Sequence, residues 1–143
     1  MKIKRDILLQ IGSNTENIYF ETGGIIGSKN NEAVTDIVFD LGINKNHPCS
    51  YMPNTDYLNA AINQWEKESI CFCGMFHIHF CNVKSLSLSD KRYIYEILKS
   101  MPPDVKSLYF PIFIFPDKEL IPYLAYIEND ELCIKEELLE IID

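Results

Sequence analysis

Two histidines two positions apart, His77 and His79, are followed along the chain by Ser87 and Asp90. The apolar run at residues 70–80 predicts a buried β-strand, and side chains two apart on a strand point to the same face. Asp90 lies in the first turn of a helix predicted at residues 89–101, so its carboxylate can return to the end of the strand. Two imidazole nitrogens and one carboxylate oxygen suit a catalytic zinc site, which keeps its fourth position open for water. The alternative is that each histidine is an ordinary hydrogen-bonded residue of the core.

Glu21 begins a second informative segment, in which Thr22 and two glycines, Gly23 and Gly24, precede a short apolar strand. Glycines at these positions predict a close approach between neighbouring backbones. Considered alone, the segment is more commonly an ordinary glycine-rich turn before a strand, with a solvated glutamate. Its significance depends on the histidine segment downstream.

The combined pattern, Glu21 before a Gly-Gly strand and then His77-x-His79-x7-Ser87-x2-Asp90, resembles the JAMM metalloprotease motif of the JAB/MPN domain family. Order, spacing and strand-loop-helix context agree from Glu21 to the helix after Asp90. The resemblance implies one JAB/MPN domain over residues 1–143. The expected fold class is α/β, a mixed β-sheet flanked by helices with cytidine-deaminase-like layering.

Two positions depart from the usual pattern of that family. Phe80 stands where a proline commonly follows the second histidine, and Ile78 replaces a common serine. Neither position is a metal ligand in the family. The departures therefore predict a different turn out of the strand, or a different substrate fit, and an intact metal site.

The resemblance implies a role for each residue of the motif. It assigns one zinc ion per chain to His77, His79 and Asp90, with the pKa of the zinc-bound water lowered towards ~7. Glu21 is expected to act as general base on that water and to pass the proton to the departing amine. Ser87 is expected to donate its hydroxyl to the developing oxyanion. Ser89 is predicted to cap the following helix, which would leave Ser87 free for this role.

The activity implied by the resemblance is hydrolysis of a peptide or isopeptide bond after the C-terminal glycine of a ubiquitin-like protein. An extended glycine tail suits a narrow cleft, because it offers main-chain hydrogen bonds and no side chains. The loops at residues 41–53 and 79–88 are the candidates for gripping it. A small single-domain form is expected to be bacterial and to work with conjugation enzymes, for instance in an antiphage system.

The sequence alone leaves three other functions open. They are a non-catalytic MPN-type scaffold, a metallopeptidase that processes sulfur-carrier proteins, and a zinc hydrolase of nucleotides or small amides. A zinc deaminase is disfavoured, because the sequence lacks the His-x-Glu and Pro-Cys-x2-Cys elements of that class.

Three cysteines near the histidines offer a rival set of metal ligands: Cys71, Cys73 and Cys81. On a regular strand Cys71 and Cys73 would share the face of the histidines, yet at ~3.3 Å per residue they lie about 13 Å or more from His79. Only Cys81 is close enough to intrude on the site. Five cysteines without framework-like spacing, and no secretory signal in the first residues, predict a reduced, cytoplasmic protein.

Composition limits the remaining possibilities. A chain of 143 residues that is 47% hydrophobic can bury the core of one domain but hardly of two. Its formal net charge of −8 would repel nucleic acid. No apolar stretch approaches the ~18 residues that a membrane span needs, so no membrane partner is expected.

Elsewhere the patterns predict several further elements. Residues 4–15 fit either a helix or a strand, and Gly12 interrupts both patterns. Residues 22–28 and 33–40 are predicted to form a hairpin. Residues 41–53 are predicted to form a loop with His47 on its surface. A helix begins at Asn54 or Thr55 and ends near Glu68. Residues 107–115 and 119–128 form a second hairpin, in which Pro111 and Pro122 are best tolerated at edges or bulges. Residues 135–143 are predicted to form a short acidic helix.

Overall fold

A mixed β-sheet with helices against both faces organises the chain in the computed structural model, which describes residues 1–44 and 49–143. The predicted surface position of His47 lies outside the described residues. The helices are α1 (Arg5–Thr15), α2 (Thr55–Lys67) and α3 (Leu88–Ser100). The strands are β1 (Lys2–Lys4), β2 (Gly23–Ser28), β3 (Asp36–Asp40), β4 (Cys71–His79), β5 (Leu108–Tyr109), β6 (Ile112–Ile114), β7 (Glu119–Ile121), β8 (Tyr123–Glu128), β9 (Glu131–Glu136) and β10 (Glu140–Ile142).

The strand order in the main sheet is β3-β2-β4-β5-β8-β9. Strand β4 also pairs in parallel with β6, which forms an antiparallel pair with β7. The sheet therefore divides beyond β4, at the end that carries the histidines. The predicted hairpin over residues 107–128 is present. Pro111 divides its first arm into β5 and β6, and Pro122 divides its second arm into β7 and β8. This placement follows from proline, which cannot donate to a β-ladder.

Strand β4 runs through the centre of the molecule and packs against helices on both sides. Phe76 and Ile78 are fully buried in a cluster with Ile7 and Ile11 of α1. Met75, on the other face, belongs to a second cluster that includes residues of α2 and α3. By alternation the two histidines lie on the Met75 face, beneath the helix that carries Asp90.

The glycines of β2 allow the close packing that the sequence predicts. A Cβ atom added to Gly24 would lie 2.0 Å from the Val38 carbonyl oxygen, and one added to Gly23 would lie 2.4 Å from that of Phe76. Any larger residue would therefore push β2 away from its neighbours β3 and β4. The expected close backbone approach is confirmed.

A β-bulge at Gly74 changes the face of the sheet on which the preceding side chains of β4 lie, compared with a regular strand. The register with β2 shifts here, with Ile26 opposite Gly74 and Gly27 opposite Phe72. Cys73 consequently packs with the Phe76 cluster, on the face opposite the histidines. The prediction that Cys73 shares the histidine face is wrong, because the extra residue reverses the alternation.

Both ends of the chain also differ from simple expectation. The ambiguous N-terminal segment is resolved as a short strand followed by helix α1, which Gly12 does not interrupt. The predicted acidic helix at residues 135–143 is wrong, since β9 extends to Glu136 and β10 pairs in parallel with β1. Strands β1 and β10 lie at opposite ends of the chain, so a local pattern could not reveal their pairing. Within the described residues, none of the helices combines the length and apolarity needed to cross a bilayer.

Gly74 offers a direct test of the bulge. Its φ of +143° is rarely adopted by other residues, and an added Cβ would lie 1.8 Å from the Tyr109 carbonyl oxygen. We expect Gly74→Ala to lower the free energy of unfolding by about 3 kcal/mol or more, measured by urea denaturation.

Gly12→Ala is the matched control, because its added Cβ would meet only the Phe113 ring at an ordinary 3.7 Å within a helix. Its stability should stay the same or rise by about 0.5–1 kcal/mol. Equal effects of the two substitutions would contradict the assigned bulge.

Candidate metal centre

Three potential metal ligands converge where β4 ends and α3 begins. The ligand atoms of His77, His79 and Asp90 all lie within 4.8 Å of one another. The Nε2 atoms of the histidines are 2.7 Å apart, and the Asp90 carboxylate oxygens lie 3.4 Å from His77 Nε2 and 3.6 Å from His79 Nε2. One ion can therefore contact all three side chains. The donor set of two nitrogens and one oxygen fits zinc with a position left open.

The loop after β4 orients the ring of His79. Cys81 and Asn82 have positive φ values of 58° and 56°, so the chain turns sharply and brings the Val83 carbonyl back to the strand. His79 Nδ1 lies 2.9 Å from that carbonyl oxygen and donates its proton to it. This assigns the tautomer and leaves Nε2 available to a metal, as in many metal-binding histidines.

A capping box fixes the Asp90 carboxylate at the start of α3. Ser87 Oγ accepts a hydrogen bond from Asp90 N at 3.0 Å, and Asp90 Oδ2 accepts one from Ser87 N at 2.7 Å. The expectation that Ser89 caps this helix is wrong, because only Ser87 has an acidic residue three positions later to complete the box. The Ser87 oxygen accepts in this bond, and its hydroxyl proton remains available to another acceptor.

Backbone pairing places Glu21 on the same face of the sheet as the histidines. Gly23 is opposite His77 in the antiparallel register, and Ile78 N donates to the Thr22 carbonyl at 2.8 Å. Continuing that pairing puts Glu21 opposite His79, and directly opposed residues point to the same side. Glu21 is half-buried and lines a cavity of about 540 Å³ with His79, Ser87 and Asp90.

The charges at the site favour a cation. Although burial opposes its ionisation, hydrogen bonds from His77 and His79 hold the pKa of Asp90 well below its usual value. Burial alone would lower the pKa of His79, but hydrogen bonding to Asp90 and Val83, together with the charges of Asp90 and Glu21, raises it. Groups that attract a proton to this ring also attract a metal ion.

Glu21 has the electrostatic properties of a group that exchanges protons. Burial raises the pKa of its carboxyl group, the nearby histidines oppose this shift, and Asp90 adds to it. A carboxylate of raised pKa is a stronger base than a solvated one. Its position beside the three ligands allows it to act on a molecule bound there.

Asp40 is a structural residue of the site that the sequence patterns did not identify. Its side chain is buried, with 5% exposed, and accepts hydrogen bonds from Tyr51 Oη at 2.8 Å, Asn54 N at 2.8 Å and Gly42 N at 3.0 Å. Both ends of the loop that follows β3 are thereby tied to one carboxylate. The Asp-x-Gly sequence was the available signal, since it is typical of a turn closed by its aspartate.

Tyr51 connects this loop to Glu21. Its ring lies against Gly23, where an added Cβ would be 2.5 Å from the ring. A backbone hydrogen bond from Tyr51 reaches the Glu21 carboxylate and lowers its pKa, against the larger effect of burial. Cys49, Ser50 and Tyr51 therefore line the cavity, and the Tyr51 backbone holds the glutamate in place.

Phe80, the main departure from the family pattern, also lines the cavity. Its ring makes an edge-on contact with Phe115, with centroids 6.0 Å apart. Cys81 also lines the cavity, but within the described residues the metal-binding group contains no cysteine. The rival cysteine site is therefore not formed there.

Comparisons with known proteins identify the fold. Neither protein-family models nor curated protein sequences match the chain. The structure of a protein from Desulfitobacterium hafniense is similar, with a TM-score of 0.72, 17% identity and coverage of 99% of this chain and 92% of that one. A JAB1/MPN domain protein from Archaeoglobus fulgidus has a TM-score of 0.57, 16% identity and full coverage of both chains. The protein thus has a JAB/MPN-like fold, as the motif implied.

The ligand assignment predicts that Asp90→Asn weakens metal binding. Asparagine still accepts from Ser87 N and so keeps the helix cap, but it removes the carboxylate that holds the cation. We expect about one zinc per wild-type chain by elemental analysis, and affinity lower by about 100-fold or more in the variant.

Asp56→Asn, in the first turn of α2, serves as the matched control and should leave zinc content unchanged. Equal zinc content in wild type and Asp90→Asn after dialysis against a weak chelator would exclude Asp90 as a ligand.

Proposed function

We propose that the protein is a zinc-dependent peptidase or isopeptidase that cleaves after the C-terminal glycine of a ubiquitin-like protein. The main support is the convergence of His77, His79 and Asp90 in a JAB/MPN-like fold, where Glu21 lines the same cavity as His79 and Asp90. Each side chain is held by its own hydrogen bonds or by strand pairing, so the arrangement does not depend on mobile surface groups.

Zinc bound by these ligands would polarise the scissile carbonyl and supply a water of lowered pKa. Glu21 would accept a proton from the attacking water and return it to the departing amine. Its raised pKa suits both steps, because the group must bind and release one proton in each cycle. Ser87 donates its free hydroxyl proton to the carbonyl oxygen as negative charge develops there.

The shape of the cavity supports an extended substrate without side chains. The rings of Tyr51 and Phe80 line the cavity, as do the exposed side chains of Tyr19 and Val83. A glycine tail can enter the cavity, while the folded part of the same protein contacts the exposed side chains. A tail with bulky side chains next to the cleaved bond would meet the aromatic rings.

We further propose that the enzyme acts in the cytoplasm, together with the conjugation enzymes of the same ubiquitin-like protein. The thiol state of Cys71, Cys73, Cys81 and Cys133 supports a reducing compartment. The conjugation enzymes follow from the substrate class, since a conjugate must be formed before it can be cleaved.

Glu21→Gln tests the proposed mechanism. The amide keeps the size of the side chain but cannot accept and return a proton, so we expect loss of about 10²- to 10⁴-fold in kcat with zinc still bound. Suitable substrates are ubiquitin-like and sulfur-carrier proteins fused through their C-terminal glycine to a reporter, assayed with zinc-loaded protein.

Glu66→Gln, at an exposed position of α2, is the matched control and should be fully active. Full activity of Glu21→Gln would contradict the mechanism. Failure of the wild-type enzyme to cleave any glycine-tailed fusion would contradict the substrate class.

Ser87 can be tested so that its two roles separate. Ser87→Ala should lose the helix cap, at a cost of about 1 kcal/mol, and also the oxyanion donor. Ser87→Gly should lose the same donor but only a few tenths of a kcal/mol, because glycine caps helices well.

Both variants should lose about 10²- to 10³-fold in kcat, while only Ser87→Ala melts at a clearly lower temperature. If the activity of Ser87→Gly stays near that of wild type, Ser87 is a helix cap and no more.

A further inference from the structure

Strand β9 ends the main sheet and presents a regular edge. Its residues pair with β8 in six consecutive positions, from Glu128 opposite Glu131 to Tyr123 opposite Glu136, with no bulge. Within residues 1–44 and 49–143, no strand pairs with its other side. It also lacks proline, which commonly protects such edges. A regular edge without an existing partner strand is a template for another strand.

The direction of the main-chain groups on β9 follows from one hydrogen bond. Glu137 N donates to the Pro122 carbonyl at 2.8 Å, so residue 137 points its polar groups towards β8. In an antiparallel ladder this direction alternates with each residue. Leu132, Ile134 and Glu136 therefore direct their N–H and C=O groups away from β8, to the free edge.

The side chains of β9 are complementary to those of a second, antiparallel β9. When two copies meet with Cys133 opposite Cys133, Glu131 of each faces Lys135 of the other, and Leu132 faces Ile134. This register also matches the main chain, because Leu132 and Ile134 both point their polar groups outwards and can exchange both hydrogen bonds. Charge, apolar contact and hydrogen bonding thus agree in one arrangement.

The neighbouring register lacks this agreement. When Ile134 lies opposite Ile134 of the second copy, the main-chain groups still match. However, Glu131 of each copy then faces Glu137 of the other, and Leu132 faces Glu136. Like charges directly opposite one another are destabilising, and the apolar pair would be lost. A register displaced by a single residue cannot form the ladder at all. It places main-chain N–H and C=O groups that point to the free edge opposite groups that point back towards β8.

We propose that the protein forms a symmetric dimer in which β9 pairs with β9 of a second copy, centred on Cys133. The half-buried side chains of Leu132 and Ile134 already pack against the core, so the new strand extends an apolar layer across the interface. Glu131 and Lys135 are exposed and form ion pairs on the other face. The interface rests on one strand pair and is therefore of the weak, concentration-dependent kind.

The dimer leaves the metal centre open. Two strands, β5 and β8, separate β9 from β4, and the cavity beside the histidines is lined by no residue of β8 or β9. Metal content should therefore be the same in monomer and dimer. This proposal stands whether or not the catalytic one does.

A charge swap tests the register. Lys135→Glu and Glu131→Lys each convert both ion pairs into like-charge pairs, and we expect each to weaken dimerisation about tenfold or more. The double variant Glu131→Lys/Lys135→Glu restores both pairs and should return to within about threefold of wild type. Lys67→Glu, the same charge change on α2, is the control and should dimerise normally. Sedimentation velocity over about 5–500 µM covers the range of weak interfaces.

Lys135 also lies 3.2 Å from Glu137, so thermal melting of Lys135→Glu must show that the fold is kept, and Glu131→Lys supplies an independent variant. A wild-type protein that stays monomeric throughout, or a dimer that both single variants leave unchanged, would overturn the proposal.

Cys133 provides a second test of the same arrangement. Directly opposed residues in a non-hydrogen-bonded antiparallel pair have Cα atoms about 4.5 Å apart, within the range that a disulfide spans. Diamide oxidation should yield a covalent dimer whose digest contains two Cys133 peptides joined by a disulfide, and Cys133→Ser should remove that product. Covalent dimers linked only through other cysteines would overturn the register.

Discussion

The pairing of β2 with β4 is the constraint on which the rest of the structure depends. Gly23 and Gly24 have no side chains to keep the strands apart, so β4 is held between β2 and the parallel strands β5 and β6. This places β4 in the centre, where Phe76 and Ile78 are fully buried. The same register puts Glu21 beside the histidines, although they are distant in sequence.

The remaining parts of the candidate metal centre are fixed by hydrogen bonds that begin where β4 ends. The turn through Cys81 and Asn82 brings the Val83 carbonyl to His79, and the capping box holds the Asp90 carboxylate 3.4 Å from His77 Nε2 and 3.6 Å from His79 Nε2. Each of these hydrogen bonds therefore orders the backbone and also orients a candidate metal ligand.

The motif predicted the fold and the convergence of the ligands, but local reasoning failed where it assumed regularity. Face alternation placed Cys73 with the histidines, whereas the bulge at Gly74 puts it on the other side. The position of Ser89 before Asp90 favours it as the cap, but the reciprocal hydrogen bonds select Ser87. No sequence pattern identifies Asp40, because its importance lies in three partners from one loop and residue type alone does not indicate burial.

The amino-acid pattern alone specifies which groups are available for chemistry and that three of them can meet. Spacing of two on a strand puts His77 and His79 on one side, and a carboxylate in the first turn of the next helix can return to them. Three other features depend on the folded arrangement: Glu21 reaches the histidines, Tyr51 holds Glu21, and the last residues add a strand beside the first. These are pairings between segments far apart in the chain, and their energy depends on packing that no local pattern contains.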